Sequence, residues 1–260
     1  MWDVLASGPI LQLAFYHPMW NSADALASLY ATVVNDMGAS PTGRLSVHRG
    51  DGIRSESFIS KTDLELSEVK VPTATLVREL FSPNVRVCEI EVRGLPIMRN
   101  ASGLISYLAL SEQSYTDECH PVAVLADGSI FDGPVRNEYA ARRLGLKIVR
   151  NFHRILSTQR PAYAAILIGM DLPSLSDLKI DPKTFAFSNA FYFSETFTGP
   201  TRCAQLLRLY HSGYKEQIAD GYYISCYRFF NKQGIDAEGY RLSENAAEII
   251  GQIPRPRGGA

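Results

Sequence analysis

The stretch ILQLAFYHPMWNSADALASLYATVVNDMG, residues 10–38, decides how the rest of the chain is read. ILQLAFY (10–16) is a run of seven apolar or strand-compatible residues, too short for a buried helix and the right length for a strand. Asn21 or Ser22 then offers a side-chain oxygen to the free N–H groups of a helix start. Ala23, Leu26, Ala27, Tyr30, Val33, Val34 and Met37 follow at helical spacing and form one apolar face, and Gly38 closes the helix. RLSVH (44–48) alternates polar and apolar, as a half-buried strand does. The segment is therefore strand–helix–strand.

A second segment reads the same way. AFYHPMWNSADALASLY (14–30) resembles AFYFSETFTGPTRCAQLLRLY (190–210): an Ala-Phe-Tyr strand end, a turn, and a helix ending in Leu-Tyr. Downstream, GRLSVHR (43–49) and GYYISCYR (221–228) each begin with Gly and end with Arg. Two such units are the building blocks of ferredoxin-like sandwiches, so the expected class is α+β around a mostly antiparallel sheet, with a possible internal duplication.

Between the units, Val85–Gly94 alternates Cys88, Ile90 and Val92 against Glu89, Glu91 and Arg93. ISYLAL (105–110) and PVAVLADGSIF (121–131) continue the strands, with Asp127-Gly128 as a hairpin signal. Glu138 to about Gln159 reads as one long helix or two short ones, with Ala141, Leu144, Ile148, Phe152, Ile155 and Leu156 on the apolar side and Gly145 as a potential break. AAILIG (164–169) and FAFSNAFYFSE (185–195) are strands. Pro200 opens a helix that buries Cys203, Leu206, Leu207 and Tyr210, and Ala246–Ile250 closes a last short one. The expected division is an N-terminal lobe over 1–133, a C-terminal lobe over 134–253 and a disordered tail over 254–260.

With 260 residues, 46% hydrophobic and 20% charged, the chain is long enough to bury a core without disulfide or metal staples. A net charge of −1 disfavours nucleic acid as a default partner, although local patches stay open. The first twenty residues lack a basic signal-peptide start, and no apolar run approaches the roughly 20 residues that span a bilayer. Cys88, Cys119, Cys203 and Cys226 are far apart, with no CxxC pair for structural zinc. A reduced, cytoplasmic protein is the simplest reading. His17, His48, His120, His153 and His211 show no metal-ligand spacing, and no GxGxxG, P-loop or GxSxG string is present, so neither cofactor nor metal is expected.

HRGDG (48–52) follows a strand and resembles the arginine-bearing strand of ADP-ribosyltransferases, in which a guanidinium holds a phosphate bidentately; FISKT (58–62) resembles that family's Ser-Thr-Ser strand. The spacing departs from the family, and Glu89-Ile90-Glu91 falls mid-strand where a catalytic Glu-x-Glu loop would be needed. The resemblance implies an enzyme on a nucleotide-type substrate, with a site gathered from His48 and Arg49 and an acid such as Asp51, Glu118 or Glu195. DECH (117–120) adds Cys119 and His120 as a nucleophile–base candidate, though strand neighbours point apart.

The other class of function is protein binding. FYHPMWNSADALASLY (15–30), RPAYAAILIGMDLPSLSDL (160–178) and AFYFSETF (190–197) are similar in overall style to bacterial immunity proteins that neutralise polymorphic or secretion-system toxins. That resemblance implies a cytosolic inhibitor that caps a toxin's active site. The candidate contacts are acidic loops carrying Asp51, Glu56, Asp63, Glu65 and Glu68, and Asp171 and Asp177, which would pair with a toxin's Lys or Arg groups. Tyr223 and Tyr227, set by alternation on an exposed sheet face beside Arg228, would anchor the interface.

Overall fold

A computed structural model describes residues 10–17, 22–50, 59–65, 85–94, 102–108, 121–128, 138–169, 190–211, 213–225 and 237–251. The strands are β1 (Ile10–Tyr16), β2 (Ser40–Gly50), β3 (Ile59–Glu65), β4 (Val85–Arg93), β5 (Ser102–Leu108), β6 (Pro121–Asp127), β7 (Tyr163–Gly169), β8 (Ala190–Ser194), β9 (Tyr214–Ile218) and β10 (Gly221–Ser225). The helices are α1 (Ser22–Ala31), α2 (Glu138–Gln159), the short α3 (Glu195–Thr198), α4 (Pro200–Leu209) and α5 (Ala237–Gly251). The strands form one sheet in the order β3-β2-β4-β5-β6-β1-β7-β8-β10-β9, and every neighbouring pair is antiparallel. The class is α+β.

β1 lies inside the sheet, and all seven of its residues are buried. Leu11, Leu13 and Phe15 point to one face, Ala14 and Tyr16 to the other, so the strand is covered on both sides. β6 and β7 flank it in register, Phe15 opposite Val122 and Ala164. The chain leaves β6, crosses β1 through α2 and returns as β7, which makes a split β-α-β unit around β1. Through this ladder, strands from before and after residue 133 belong to one sheet.

The two faces take different helices. α1 and α2 cover Leu11, Leu13, Phe15, Val122, Val124, Ala164, Tyr192 and Tyr223. α4 and α5 cover Ala14, Tyr16, Tyr163, Phe191, Phe193 and Ile224. The result is helix–sheet–helix layering over the middle and the C-terminal strands. The Pro200 start and the buried Cys203, Leu206 and Tyr210 match the sequence reading. α1 runs into a π-helical turn (Thr32–Asp36) before Gly38, which adopts φ +76°.

Several expectations are corrected. In chain order the first Ala-Phe-Tyr unit is β1–α1–β2, whereas the second is β8–α3–α4–β9–β10, with a strand inserted before the one expected to match β2, and the two are wired differently. β1 and β2 run parallel with three strands between them, whereas β8 and β10 are adjacent and antiparallel. Asp127-Gly128 does not begin a hairpin on β6, because β1 and β5 already occupy both of its edges. Residues 59–65, read as part of a loop, form β3, paired with β2 from Arg44↔Glu65 to Gly50↔Ile59. Its charges are those of an edge strand, which discourage further pairing. Of the two readings of 138–159 the single helix holds, α2 running through Gly145 without a break, while α5 begins well before Ala246. The tail expected to be disordered over 254–260 lies outside the described residues.

Candidate functional site

α2 is the element from which the site is built. Its inward residues Ile148, Phe152, Ile155 and Leu156 are fully buried, at the spacing the sequence predicts. Phe152 stacks on Phe15 at 5.3 Å between ring centroids and meets Tyr223 at 6.1 Å. Between those rings in the sheet row lies Ala164, opposite both Phe15 and Tyr192, and its small side chain leaves room for the Phe152 ring.

The outward side of the same helix has a different chemistry. Arg142, Arg143, Lys147, Arg150 and Arg154 are all exposed, and the helix sequence holds five basic residues against one acidic. Taking the helix's +4 from the chain's −1 leaves −5 for the remainder. Within this basic stripe stand two large apolar side chains in solvent, Tyr139 at 76% exposure and Leu146 at 66%. They are seven residues apart, two helical turns, and so share one face. Together with Tyr214 they are the exposed large hydrophobic residues among those described.

At its C-terminal half the stripe borders His153, where α2 passes over the edge hairpin β9–β10. His153 Nδ1 lies 3.4 Å from Glu216 Oε2, and its ring meets Tyr223 edge-on at 4.2 Å. The Tyr214 hydroxyl donates to the same Glu216 oxygen at 2.7 Å. Burial holds the His153 pKa below its ordinary 6.5, with the Glu216 carboxylate pulling weakly the other way. The Glu216 contact raises the Tyr214 phenol. A histidine oriented by a carboxylate invites a general-base reading. Its Nε2, however, is enclosed and has no partner among the described residues, so no substrate proton reaches it in this conformation. The cluster fastens α2 to the sheet edge.

The hairpin beneath it is tied down by polar contacts. Asp220 accepts from the Tyr192 hydroxyl at 3.1 Å and from Thr196 at 3.4 Å, and its backbone carbonyl accepts from the Glu195 N–H. On the opposite side of β9, Lys215 donates to the Leu207 and His211 carbonyls at the end of α4, as a cation at a helix C-terminus does. A Cβ on Gly221 would collide with the Phe193 carbonyl and the Tyr192 hydroxyl, so this position accepts glycine alone.

The residues expected from sequence fall as follows. Tyr223 is 0% exposed: it offers no surface to a partner and packs instead between α2 and the sheet. Tyr192 is buried for the same reason, since β8 and β10 have a helix layer on each face and alternation leaves no solvent side. Asp63 and Glu65 lie on edge strand β3, and His48 and Arg49 lie on β2. Glu195 is exposed at the start of α3, directly after β8. β2 and β8 are six strand positions apart, about 29 Å at ~4.8 Å per strand, so Glu195 does not join His48 and Arg49 in one site. Asp51, Glu56, Glu68, Glu118, His120, Asp171, Asp177 and Tyr227 lie outside the described residues. Among the described residues no three His, Cys, Asp or Glu side chains gather as metal ligands, and no helix is long and apolar enough to cross a membrane.

No protein-family model matches the chain, and no curated protein matches it. Among solved structures it is similar to the Pseudomonas aeruginosa T6SS protein PA0821, at 10% sequence identity and a TM-score of 0.43, over 94% of this chain and 73% of that one.

Proposed function

We propose that the chain is a protein-binding module of the immunity type, a cytoplasmic inhibitor that covers the active site of a cognate toxin, and that the outward face of α2 is its contact surface. The observation that carries this reading is the pair Tyr139 and Leu146, held in solvent on a rigid helix and ringed by arginines. Aromatic, apolar and arginine side chains are the types enriched where binding energy concentrates, and a surrounding polar rim keeps water from such anchors. A helix with its other face locked into the core presents these groups already ordered, so little conformational entropy is lost on binding. Asp63 and Glu65, on the edge strand β3, together with Asp51, Glu56, Glu68, Asp171 and Asp177, are further candidate contacts for basic groups of the toxin.

The test is capture of the partner from the native lysate, followed by reconstitution of the purified pair. The captured protein is expected to arrest growth when expressed alone and to be harmless when co-expressed with this chain. Tyr139→Ala with Leu146→Ala is expected to abolish that protection while the protein stays folded. Protection that survives the double substitution, or a captured protein without toxicity, contradicts the proposal.

A further inference from the structure

We infer that the surface α2 recognises is a carboxylate-bearing patch on a protein partner, with an apolar side chain at its centre that packs between Tyr139 and Leu146. The inference rests on the binding-module reading and names the chemistry of its partner, which is opposite in sign to the basic surface that the acidic loops alone would select.

Geometry and charge carry it together. At about 100° per residue, Arg143, Arg150 and Arg154 fall within about 40° of arc and line the helix for roughly 16 Å. Tyr139 and Leu146 lie alongside that line. All of these side chains are exposed, and among the described residues no acidic side chain forms an ion pair with Arg143, Arg150 or Arg154. Guanidinium groups at this spacing match carboxylates displayed along a strand or helix, each able to accept a paired hydrogen bond. The sign of the surface is local, since the rest of the chain carries −5.

Other polyanions fit less well. Phosphate backbones would use the arginines and leave Leu146 idle, and an approaching duplex would also meet the net negative remainder of the chain. A membrane-bound helix keeps its basic residues on the face opposite its apolar ones. Here the basic and apolar groups share one face, because the other is committed to the core.

The probe that decides this is a photo-reactive benzoylphenylalanine placed at Leu146, irradiated in native lysate, with the adduct read by mass spectrometry. The expected adduct is to a protein segment in which Asp and Glu flank an apolar residue. Arg143→Glu, Arg150→Glu and Arg154→Glu together are expected to lower its yield at least tenfold at low salt. The matching lysine triple is expected to keep it within about threefold, since charge is conserved while paired hydrogen bonding is weakened. Circular dichroism checks that each variant folds. Binding to a 20-base-pair DNA duplex or to vesicles of phosphatidylcholine and phosphatidylserine that is lost in the glutamate triple overturns the inference. So does an adduct to nucleic acid, to lipid, to a second copy of this chain or to a basic segment. A partner captured by the whole protein but never crosslinked from position 146 overturns the inference and leaves the binding-module reading standing. Failure to capture any partner removes both.

Discussion

The two faces of α2 share one backbone and have opposite relations to their surroundings. The inward face puts Phe152 against Phe15 and Tyr223 and is buried to completion. The outward face sets Tyr139 and Leu146 in water among five basic residues. A helix that had only to cover a sheet would carry small or polar groups outside. Both faces follow the same 3.6-residue period, and what separates them is what each meets: a core on one side and, in the proposed reading, another protein on the other.

The comparison makes its strongest prediction at the inward face. Phe152→Ala removes a ring that fills the space above Ala164, and a loss of about 3–5 kcal/mol in urea unfolding is expected. Its effect on partner binding should come only through the fraction unfolded. The outward pair should behave in reverse. Tyr139→Ala with Leu146→Ala is expected to weaken binding of the captured partner by about 2–4 kcal/mol while unfolding stability moves by about 0.5 kcal/mol or less. A stability loss as large as that of Phe152→Ala would merge the two faces into one structural role.

Smaller effects are expected at the boundary, where His153 meets Glu216. Burial keeps the folded His153 pKa below 6.5, so as pH falls through that value the unfolded chain takes up its proton first. The stability that neutral His153 supports is therefore fully present above pH 6.5 and lost below it. His17 acts in the same sense, its pKa lowered to about 4 by burial, so its share is lost between 6.5 and 4. Glu216→Gln removes the one influence that raises the His153 pKa and should steepen the acid loss, in denaturant melts at pH 7.5 and 5.5. A shallower loss would mean that His153 is charged in the fold. At the hairpin tip, Ala219 adopts φ +52°, and Ala219→Gly is expected to stabilise by up to about 1 kcal/mol, with binding unchanged.

Local patterns in the sequence carried much of this. The helix over 138–159, the strands at β1 and β7, and the Pro200 start are legible because period and capping are properties of a few adjacent residues. Strand neighbours are not: nothing local to Asp127-Gly128 records that β1 and β5 occupy both edges of β6. Alternation sets Tyr223 outward because it assumes one wet face, and a sheet with helices on both faces has none there. The outward stripe of α2 is legible from the same spacing. The period that marks Ile148, Phe152 and Ile155 as buried marks Arg143, Arg150 and Arg154 as a line, once it is applied to the charged residues as well.

The central claim is that the outward face of α2 binds and does not stabilise. The most direct test is the dissociation constant and melting temperature of Tyr139→Ala with Leu146→Ala, measured on the same samples with the captured partner. The account predicts a dissociation constant raised at least about 30-fold with a melting temperature within about 2 °C of the parent. An unchanged dissociation constant would contradict it.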